Sequence, residues 1–242
     1  MTEAPERPRL AFHHTPGQGP TLVFLCGYAS DMNGTKALAL EAWAKANGRA
    51  FLRFDYAGCG ESEGAFEDQT LASWRDDALR IIDAQVQGPV VLVGSSMGGW
   101  VMLLVARARP GLVQAMVGIA AAPDFTDWGF SQADKLTILQ HGRIEQPNDY
   151  GDTPTVTTRG FWASGEANRV MIGPIAFDGP VRLLQGQCDK EVPWARAVRL
   201  AELIRSDAVQ TVLVKDGDHR LSREQDLALI LRSVEDVLAL CS

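Results

Sequence analysis

Short apolar runs alternate with longer amphipathic segments along most of the 242-residue chain. The run at 89–93 is uniformly apolar, which is typical of a strand that is covered on both faces of a sheet. The other runs are short and consist mainly of β-branched or apolar residues. These patterns predict strands at 21–25, 50–55, 89–93, 114–120, 181–185 and 209–215.

The segments between these runs carry apolar residues three or four positions apart, which predicts helices at 35–47, 71–86, 97–107, 195–204 and 223–240. The alternation stops between about 124 and 178, where only scattered amphipathic segments such as 131–141 occur. Strands that alternate with helices indicate an α/β protein with a mostly parallel central sheet and helices on both faces. We therefore predict a single domain over 1–242 with an inserted cap at about 124–178.

Composition and charge narrow the classes of function. The chain has 23 basic and 30 acidic residues, a net charge of −7, and no basic stripe, which argues against nucleic-acid binding. No apolar stretch approaches the ~18 residues of a membrane span. The first seven residues lack the apolar core of a secretory signal and contain acids that are atypical of a transit peptide, so we expect a cytoplasmic protein. The sequence leaves the oligomeric state open.

Cysteine and histidine spacing bears on metals and redox state. The cysteines Cys26, Cys59, Cys188 and Cys241 are far apart and form no Cys-x-x-Cys pair. In a chain without a signal peptide, such cysteines are expected to be reduced thiols. No cluster of His, Asp or Glu has the spacing of metal ligands. We therefore predict no metal and no cofactor.

A Gly-x-Ser-x-Gly pattern, Gly94-Ser95-Ser96-Met97-Gly98, lies between the most apolar run and the next helix. This is where a nucleophile elbow must lie, because small residues on either side of the serine allow the sharp strand-to-helix turn that exposes its hydroxyl. Ser96 is therefore the predicted nucleophile, and Ser95 is its neighbour. The alternative is a Gly-rich turn in which Ser96 only caps a helix.

A serine hydroxyl needs a base, and the candidate is His219, which follows the last predicted strand. Ligands and chemistry collect at the carboxyl ends of parallel strands. Asp189, which follows the strand at 181–185, is the predicted acid that orients the imidazole, in the order Ser…Asp…His. Glu191 and Asp124 are rival acids, and the alternative for His219 is an exposed loop histidine.

Acyl transfer develops negative charge on the carbonyl oxygen, which requires two backbone donors. The predicted donors are the N–H of Met97, next to the nucleophile, and the N–H of Tyr28, in the loop after the strand at 21–25. Alternatively, Gly27 simply ends a strand there. The tryptophans Trp128, Trp162 and Trp194 are candidates for lining a substrate pocket, although core or surface positions suit them equally.

Several longer blocks resemble one superfamily: Gly27 to Leu38, Arg53 to Gly58, Gly94 to Trp100, Arg182 to Gly186 with Val192 to Trp194, and Asp218 to Arg220. They are similar to the α/β-hydrolase superfamily and, within it, to the group of mitochondrial palmitoyl-protein thioesterases and acyl-glucuronide esterases. The resemblance implies the same roles for Ser96, Asp189 and His219, and cleavage of S-palmitoyl thioesters or acyl esters without a cofactor. The missing transit peptide suggests a bacterial or cytosolic relative.

We therefore predict a serine hydrolase that cleaves carboxylic thioesters or esters through an acyl-Ser96 intermediate. Its partner is an acyl ester or thioester substrate, which includes S-acylated proteins. Two alternatives stay open: an acyltransferase that uses the same three residues, and a non-catalytic binding module that retains the fold. The sequence does not fix the length of the acyl chain.

Overall fold

The strands of the chain form one large sheet and one hairpin. A computed structural model describes residues 7–147 and 154–241. Within them the strands are β1 (Phe12–Thr15), β2 (Gln18–Leu25), β3 (Arg49–Phe54), β4 (Val90–Ser95), β5 (Val113–Ile119), β6 (Arg143–Gln146), β7 (Thr155–Thr158), β8 (Val181–Gly186) and β9 (Val209–Val214). Residues 1–6, on which the prediction about a signal segment depends, lie outside the described part.

Helices follow most strands of the large sheet, and five of them lie close to the positions that the sequence pattern predicts. The helices of the described residues are α1 (Thr35–Ala46), α2 (Leu71–Gln85), α3 (Met97–Ala108), α4 (Phe125–Trp128), α5 (Gln132–His141), α6 (Arg159–Ala167), α7 (Ala195–Leu203) and α8 (Glu224–Ala239). None of these helices is long and apolar enough to cross a lipid bilayer.

The large sheet has the strand order β1-β3-β2-β4-β5-β8-β9. Strand β1 is antiparallel to β3, and all other neighbours are parallel. Helix α1 packs with α8 and α2 packs with α3, while every residue of β4 is buried between the covering layers. The predicted α/β fold with a mostly parallel sheet is confirmed. The carboxyl ends of β2, β4, β5, β8 and β9 consequently meet at one edge of the sheet.

The segment between β5 and β8 leaves the sheet and packs over its neighbours. Strands β6 and β7 pair as an antiparallel hairpin, and α6 packs on α2 and α4. The indole N–H of Trp100, on α3, donates to the Asn168 carbonyl over 3.3 Å. The Tyr28 hydroxyl, in the loop after β2, donates to the Val156 carbonyl over 2.7 Å. These bonds attach the segment to the layer that carries the carboxyl edge of the sheet.

Candidate active site

Ser96 occupies a sharp turn between β4 and α3. Its backbone has φ 53° and ψ −119°, a conformation that costs a non-glycine residue about 1–3 kcal/mol and is found mainly at functional sites. The two glycines of the motif make the turn possible. A Cβ on Gly94 would lie 2.5 Å from the Gly98 carbonyl oxygen, and a Cβ on Gly98 would lie 2.0 Å from the Leu25 carbonyl oxygen. The motif therefore reflects close backbone packing around Ser96.

Backbone hydrogen bonds hold this strained turn in place. The Ser96 N–H donates to the Ile119 carbonyl over 2.9 Å, which ties the turn to β5. The Ser96 carbonyl accepts the N–H groups of Gly99 and Ala122 at 2.9 and 3.0 Å. Because both backbone groups of Ser96 are fixed, its side chain has a defined direction above the edge of the sheet.

Three side chains from three strand ends meet above the turn. His219 Nε2 lies 3.1 Å from Ser96 Oγ, and His219 Nδ1 lies 2.9 Å from Asp189 Oδ2. The Asp189 side chain is fully buried, whereas 13% of the His219 side chain is exposed. The structure thus brings the predicted nucleophile, base and acid within hydrogen-bond distance of one another, in the arrangement that converts a hydroxyl into a nucleophile.

The buried Asp189 carboxylate accepts four hydrogen bonds. Oδ1 accepts the N–H groups of Glu191 and Val192 at 2.9 and 2.8 Å, and Oδ2 accepts the Gln185 side-chain amide at 2.8 Å in addition to His219. Burial by itself would raise the pKa of Asp189. The hydrogen bond and charge of His219, together with the two N–H groups, outweigh it and lower this pKa below its ordinary value. Asp189 is therefore held as a carboxylate.

Gln185 is a contributor that the sequence reasoning missed. It is fully buried on β8, and its Nε2 also donates to the Val192 carbonyl over 3.1 Å, so it fixes the turn that carries Asp189. Its side-chain oxygen has no hydrogen-bond partner among the described residues. The sequence does contain a signal for this role: a single amide side chain lies in an apolar run, four residues before the candidate acid. Because a buried amide needs hydrogen-bond partners, such a position indicates a polar contact near the acid.

The rival acids of the sequence analysis have other positions. Asp124 is buried at a positive φ of 57°, and its two oxygens accept the N–H groups of Val170 and Met171, both at 2.8 Å. It thereby joins the end of β5 to the segment that leads back to β8. Glu191, by contrast, reaches the imidazole: its Oε2 lies 3.4 Å from His219 Nε2, on the side opposite to Asp189.

The acids next to His219 in sequence are engaged within their own loop. Asp216 forms an ion pair with Arg223 at 2.7 Å. Asp218 Oδ1 accepts the N–H of Leu221 over 2.9 Å. Both therefore stabilise the turn that carries His219.

The two predicted backbone donors belong to the two segments that adjoin Ser96. Met97 is the first residue of α3, so its N–H belongs to the helix turn whose N–H groups have no partner within the helix. Tyr28 follows Gly27, and a Cβ on Gly27 would lie 3.4 Å from the Ser96 Cβ, which shows how closely this loop approaches. The Tyr28 ring packs against four aromatic rings: Phe66, Trp74, Phe125 and Phe161. This packing holds the loop next to Ser96.

A cavity of about 650 Å³ opens above these residues. Its described wall combines Ser96 and His219 with the loop after β2, the first turn of α1 and the β6–β7 hairpin. Four charged side chains belong to this wall: Asp31, Lys36, Glu191 and Arg220. Burial, followed by repulsion from Arg220, lowers the pKa of Lys36 to about 8. The wall of the cavity next to the serine therefore carries charged groups as well as apolar surface.

The three tryptophans considered as pocket residues do not belong to the described cavity wall. The Trp128 indole donates to the Pro123 carbonyl over 2.9 Å, and the Trp162 indole donates to the Thr126 carbonyl over 3.1 Å. Trp194 is 44% exposed at the start of α7. A role of these tryptophans in binding substrate stays a prediction. The indole N–H groups of the first two find backbone acceptors within the segment between β5 and β8, which fixes them there.

Within the described residues there is no group of three His, Cys, Asp or Glu side chains that could hold a metal ion. The independence from metals and cofactors stays a prediction.

A serine on a strand-to-helix turn, with imidazole and carboxylate at the carboxyl edge of a parallel sheet, is typical of α/β hydrolases. Residues 22–233 match the model of the alpha/beta hydrolase family, and the chain belongs to this family. It is 39% identical over 238 residues to human palmitoyl-protein thioesterase ABHD10, mitochondrial, an alignment that covers 97% of this chain and 78% of the human protein.

Solved structures give the same result. Mouse alpha/beta hydrolase domain-containing protein 10 is 38% identical, with a TM-score of 0.91 and coverage of 99% of this chain and 98% of that one. A protein from Agrobacterium vitis S4 has the same identity and TM-score, with coverage of 98% and 95%. The mammalian relatives are mitochondrial by name, so the cytoplasmic location of this chain stays a prediction.

Proposed function

We propose that this α/β hydrolase cleaves carboxylic thioesters or esters through an acyl-Ser96 intermediate. The observation that carries the proposal is the 3.1 Å distance between Ser96 Oγ and His219 Nε2, with Asp189 at 2.9 Å from the other ring nitrogen. The relatives support an acyl ester or thioester as the bond that is cleaved, since they are named palmitoyl-protein thioesterases. The proposed reaction is thus cleavage of the acyl bond of a substrate that binds in the cavity above Ser96.

In the first half-reaction, His219 takes the proton of Ser96 while Oγ attacks the carbonyl carbon. Asp189 holds the imidazole in orientation and stabilises its positive charge. The negative charge on the carbonyl oxygen is stabilised by the N–H groups of Tyr28 and Met97. His219 then gives its proton to the departing thiol or alcohol, which leaves the acyl group on Ser96.

The second half-reaction repeats these steps with water. His219 accepts a proton from the water molecule, whose oxygen attacks the acyl carbon, and the proton then returns to Ser96 as the carboxylic acid departs. Ser96, His219 and the attacking water together account for every proton in the two half-reactions.

The segment at about 124–178 is the proposed cap of this single-domain enzyme. It is attached by the Tyr28–Val156 bond and by the contacts of α6 with α2, and the β6–β7 hairpin contributes to the cavity wall. A volume of about 650 Å³ falls in the usual range of small-molecule sites, about 300–1,000 Å³. Length of the acyl chain is the property that this cap is expected to select.

Ser96→Ala tests the proposal, with Ser95→Ala as the matched control on the neighbouring residue. We expect Ser96→Ala to abolish hydrolysis of p-nitrophenyl esters and acyl thioesters and to lose labelling by a fluorophosphonate probe, while Ser95→Ala keeps its labelling. Undiminished labelling of Ser96→Ala would show that the nucleophile is another residue. A substrate panel of graded chain length, with competing alcohols and amines, separates hydrolysis from acyl transfer.

A further inference from the structure

His219 stands between two carboxylates. Asp189 contacts Nδ1 at 2.9 Å, and Glu191 Oε2 lies 3.4 Å from Nε2, the nitrogen that also faces Ser96. One short turn positions both acids, because the Glu191 N–H donates to Asp189 Oδ1. The Glu191 side chain is 43% exposed and belongs to the cavity wall. The mechanism above uses Asp189 and leaves Glu191 without a role.

At this distance the Glu191 carboxylate can accept a hydrogen bond from His219 when the imidazole is protonated. Once Nε2 carries a proton, it has two acceptors in reach, the Ser96 hydroxyl and the Glu191 carboxylate. Hydrogen bonds to a charged acceptor are roughly twice as strong as those to a neutral one. The protonated imidazole is therefore drawn toward Glu191, whereas the neutral imidazole accepts the hydroxyl proton of Ser96.

Other charges around the imidazole remain constant when Glu191 is changed. They come from the loop after β2, the first turn of α1, the β8–α7 turn and the loop of His219 itself: Asp31, Lys36, Asp189, Asp218 and Arg220. A comparison of Glu191 variants in the same chain isolates the contribution of this one carboxylate.

We propose that Glu191 is a positioning residue of the proposed hydrolase: its carboxylate stabilises protonated His219 and makes activity decline at a higher pH than Asp189 alone would produce. The inference rests on the proposed function, since it requires His219 to act as the base for Ser96. Glu191 thereby lowers activity modestly in mildly acidic surroundings, and this effect disappears as the pH rises.

The test is the pH dependence of kcat/KM for Glu191→Gln, which keeps the shape and removes the charge. With a neutral p-nitrophenyl ester, we expect the acid limb to move about 0.5 pH unit lower, as for a partly exposed ion pair, so that the variant is roughly threefold faster on that limb. Glu191→Asp, which keeps the charge, should restore most of the original limb. Glu202→Gln, an exposed acid on α7, is the control that should leave the limb in place.

Ionic strength provides a second readout that a purely structural role would not change. Because Glu191 is partly exposed, about 1 M salt should narrow the difference between the wild type and Glu191→Gln. A Glu191→Gln limb that coincides with the wild-type limb at low salt overturns the inference. Loss of activity at every pH in this variant, with Asp189→Asn still active, also overturns it by making Glu191 the orienting acid. Hydrolysis by Ser96→Ala would instead refute the proposed function.

Discussion

Gly98→Ala probes the close packing on which the site depends. The added Cβ would lie 2.0 Å from the Leu25 carbonyl oxygen and 2.6 Å from that of Cys26, both backbone atoms at the end of β2. Real Cβ atoms essentially never approach another atom within 3.0 Å, so α3 and the end of β2 must separate by about 1 Å. The predicted oxyanion donors are attached to these two elements, and they would separate as well.

The size of the effect follows from this displacement. A misplacement of about 1 Å in a preorganised site costs on the order of 10²-fold in rate. Forced overpacking costs about 1–3 kcal/mol of unfolding free energy, whereas Gly→Ala inside a helix with free space gains about 0.5–1 kcal/mol. Gly98→Ala should therefore lose both stability and kcat/KM.

Gly173→Ala serves as the matched control, because a Cβ there has no atom within 4 Å. Thermal unfolding and ester hydrolysis are measured on both variants. For a chain of this length, 1 kcal/mol corresponds to about 2–4 °C in Tm. A Gly98→Ala variant with the stability and kcat/KM of Gly173→Ala would refute the reasoning, since the elements around Ser96 would then have room to spare.

Two further predictions concern buried charge. Asp189→Asn should lower kcat by about 10³- to 10⁴-fold with the fold intact, because the amide no longer fixes the imidazole. Asp124→Asn should instead lower the free energy of unfolding by about 1 kcal/mol and change activity little. Steady-state kinetics and denaturant unfolding, measured on both variants, distinguish the two effects. Lys36 has a folded-state pKa of about 8 against an ordinary 10.5. Between these values the unfolded chain holds a proton that the folded chain lacks, so the free energy of unfolding rises with pH, by on the order of 3 kcal/mol in total. Lys36→Met should remove this increase in stability. If the wild type and Lys36→Met show equal slopes of unfolding free energy against pH, the prediction is contradicted.

The parallel strands could be predicted from sequence because burial on both faces leaves a continuous apolar signature. The prediction at 89–93 overlaps β4 (Val90–Ser95), and that at 181–185 overlaps β8 (Val181–Gly186). The edge strand β1 (Phe12–Thr15) was missed because three of its four residues are exposed, so pairing with β3 creates it without an apolar pattern. The β6–β7 hairpin was missed because each of its four-residue strands contains a single aliphatic residue, Ile144 or Val156.

Helix α6 (Arg159–Ala167) was also missed, because Gly160 and Gly165 weaken its helical pattern. Gly165 is explained only in three dimensions, since a Cβ there would lie 2.4 Å from the Thr126 side chain.

For the site, the meeting of Ser96, Asp189 and His219 follows from topology. The carboxyl ends of parallel strands share one edge, and each of these residues comes shortly after such an end. The surroundings could not be predicted in this way. Gln185 reaches Asp189 only because the turn between them brings the two side chains together. The cavity wall consists of loops, and hydrophobic periodicity does not predict how loops lie relative to one another. The tryptophans could not be assigned to a surface from the sequence, because composition indicates that indoles prefer partial burial but not which surface receives them.

Tyr28 couples two parts of the enzyme that would otherwise change independently. Its ring hydroxyl is bound to the hairpin and its main chain lies beside Ser96, so a hairpin altered to admit a different acyl group also pulls on the reacting centre. The acceptor is the main-chain oxygen of Val156, and the tie survives any mutation of that side chain. A substitution of the Val156 side chain therefore leaves the acceptor of this bond in place, whereas an insertion or deletion in the hairpin would displace the acceptor and, with it, the Tyr28 ring.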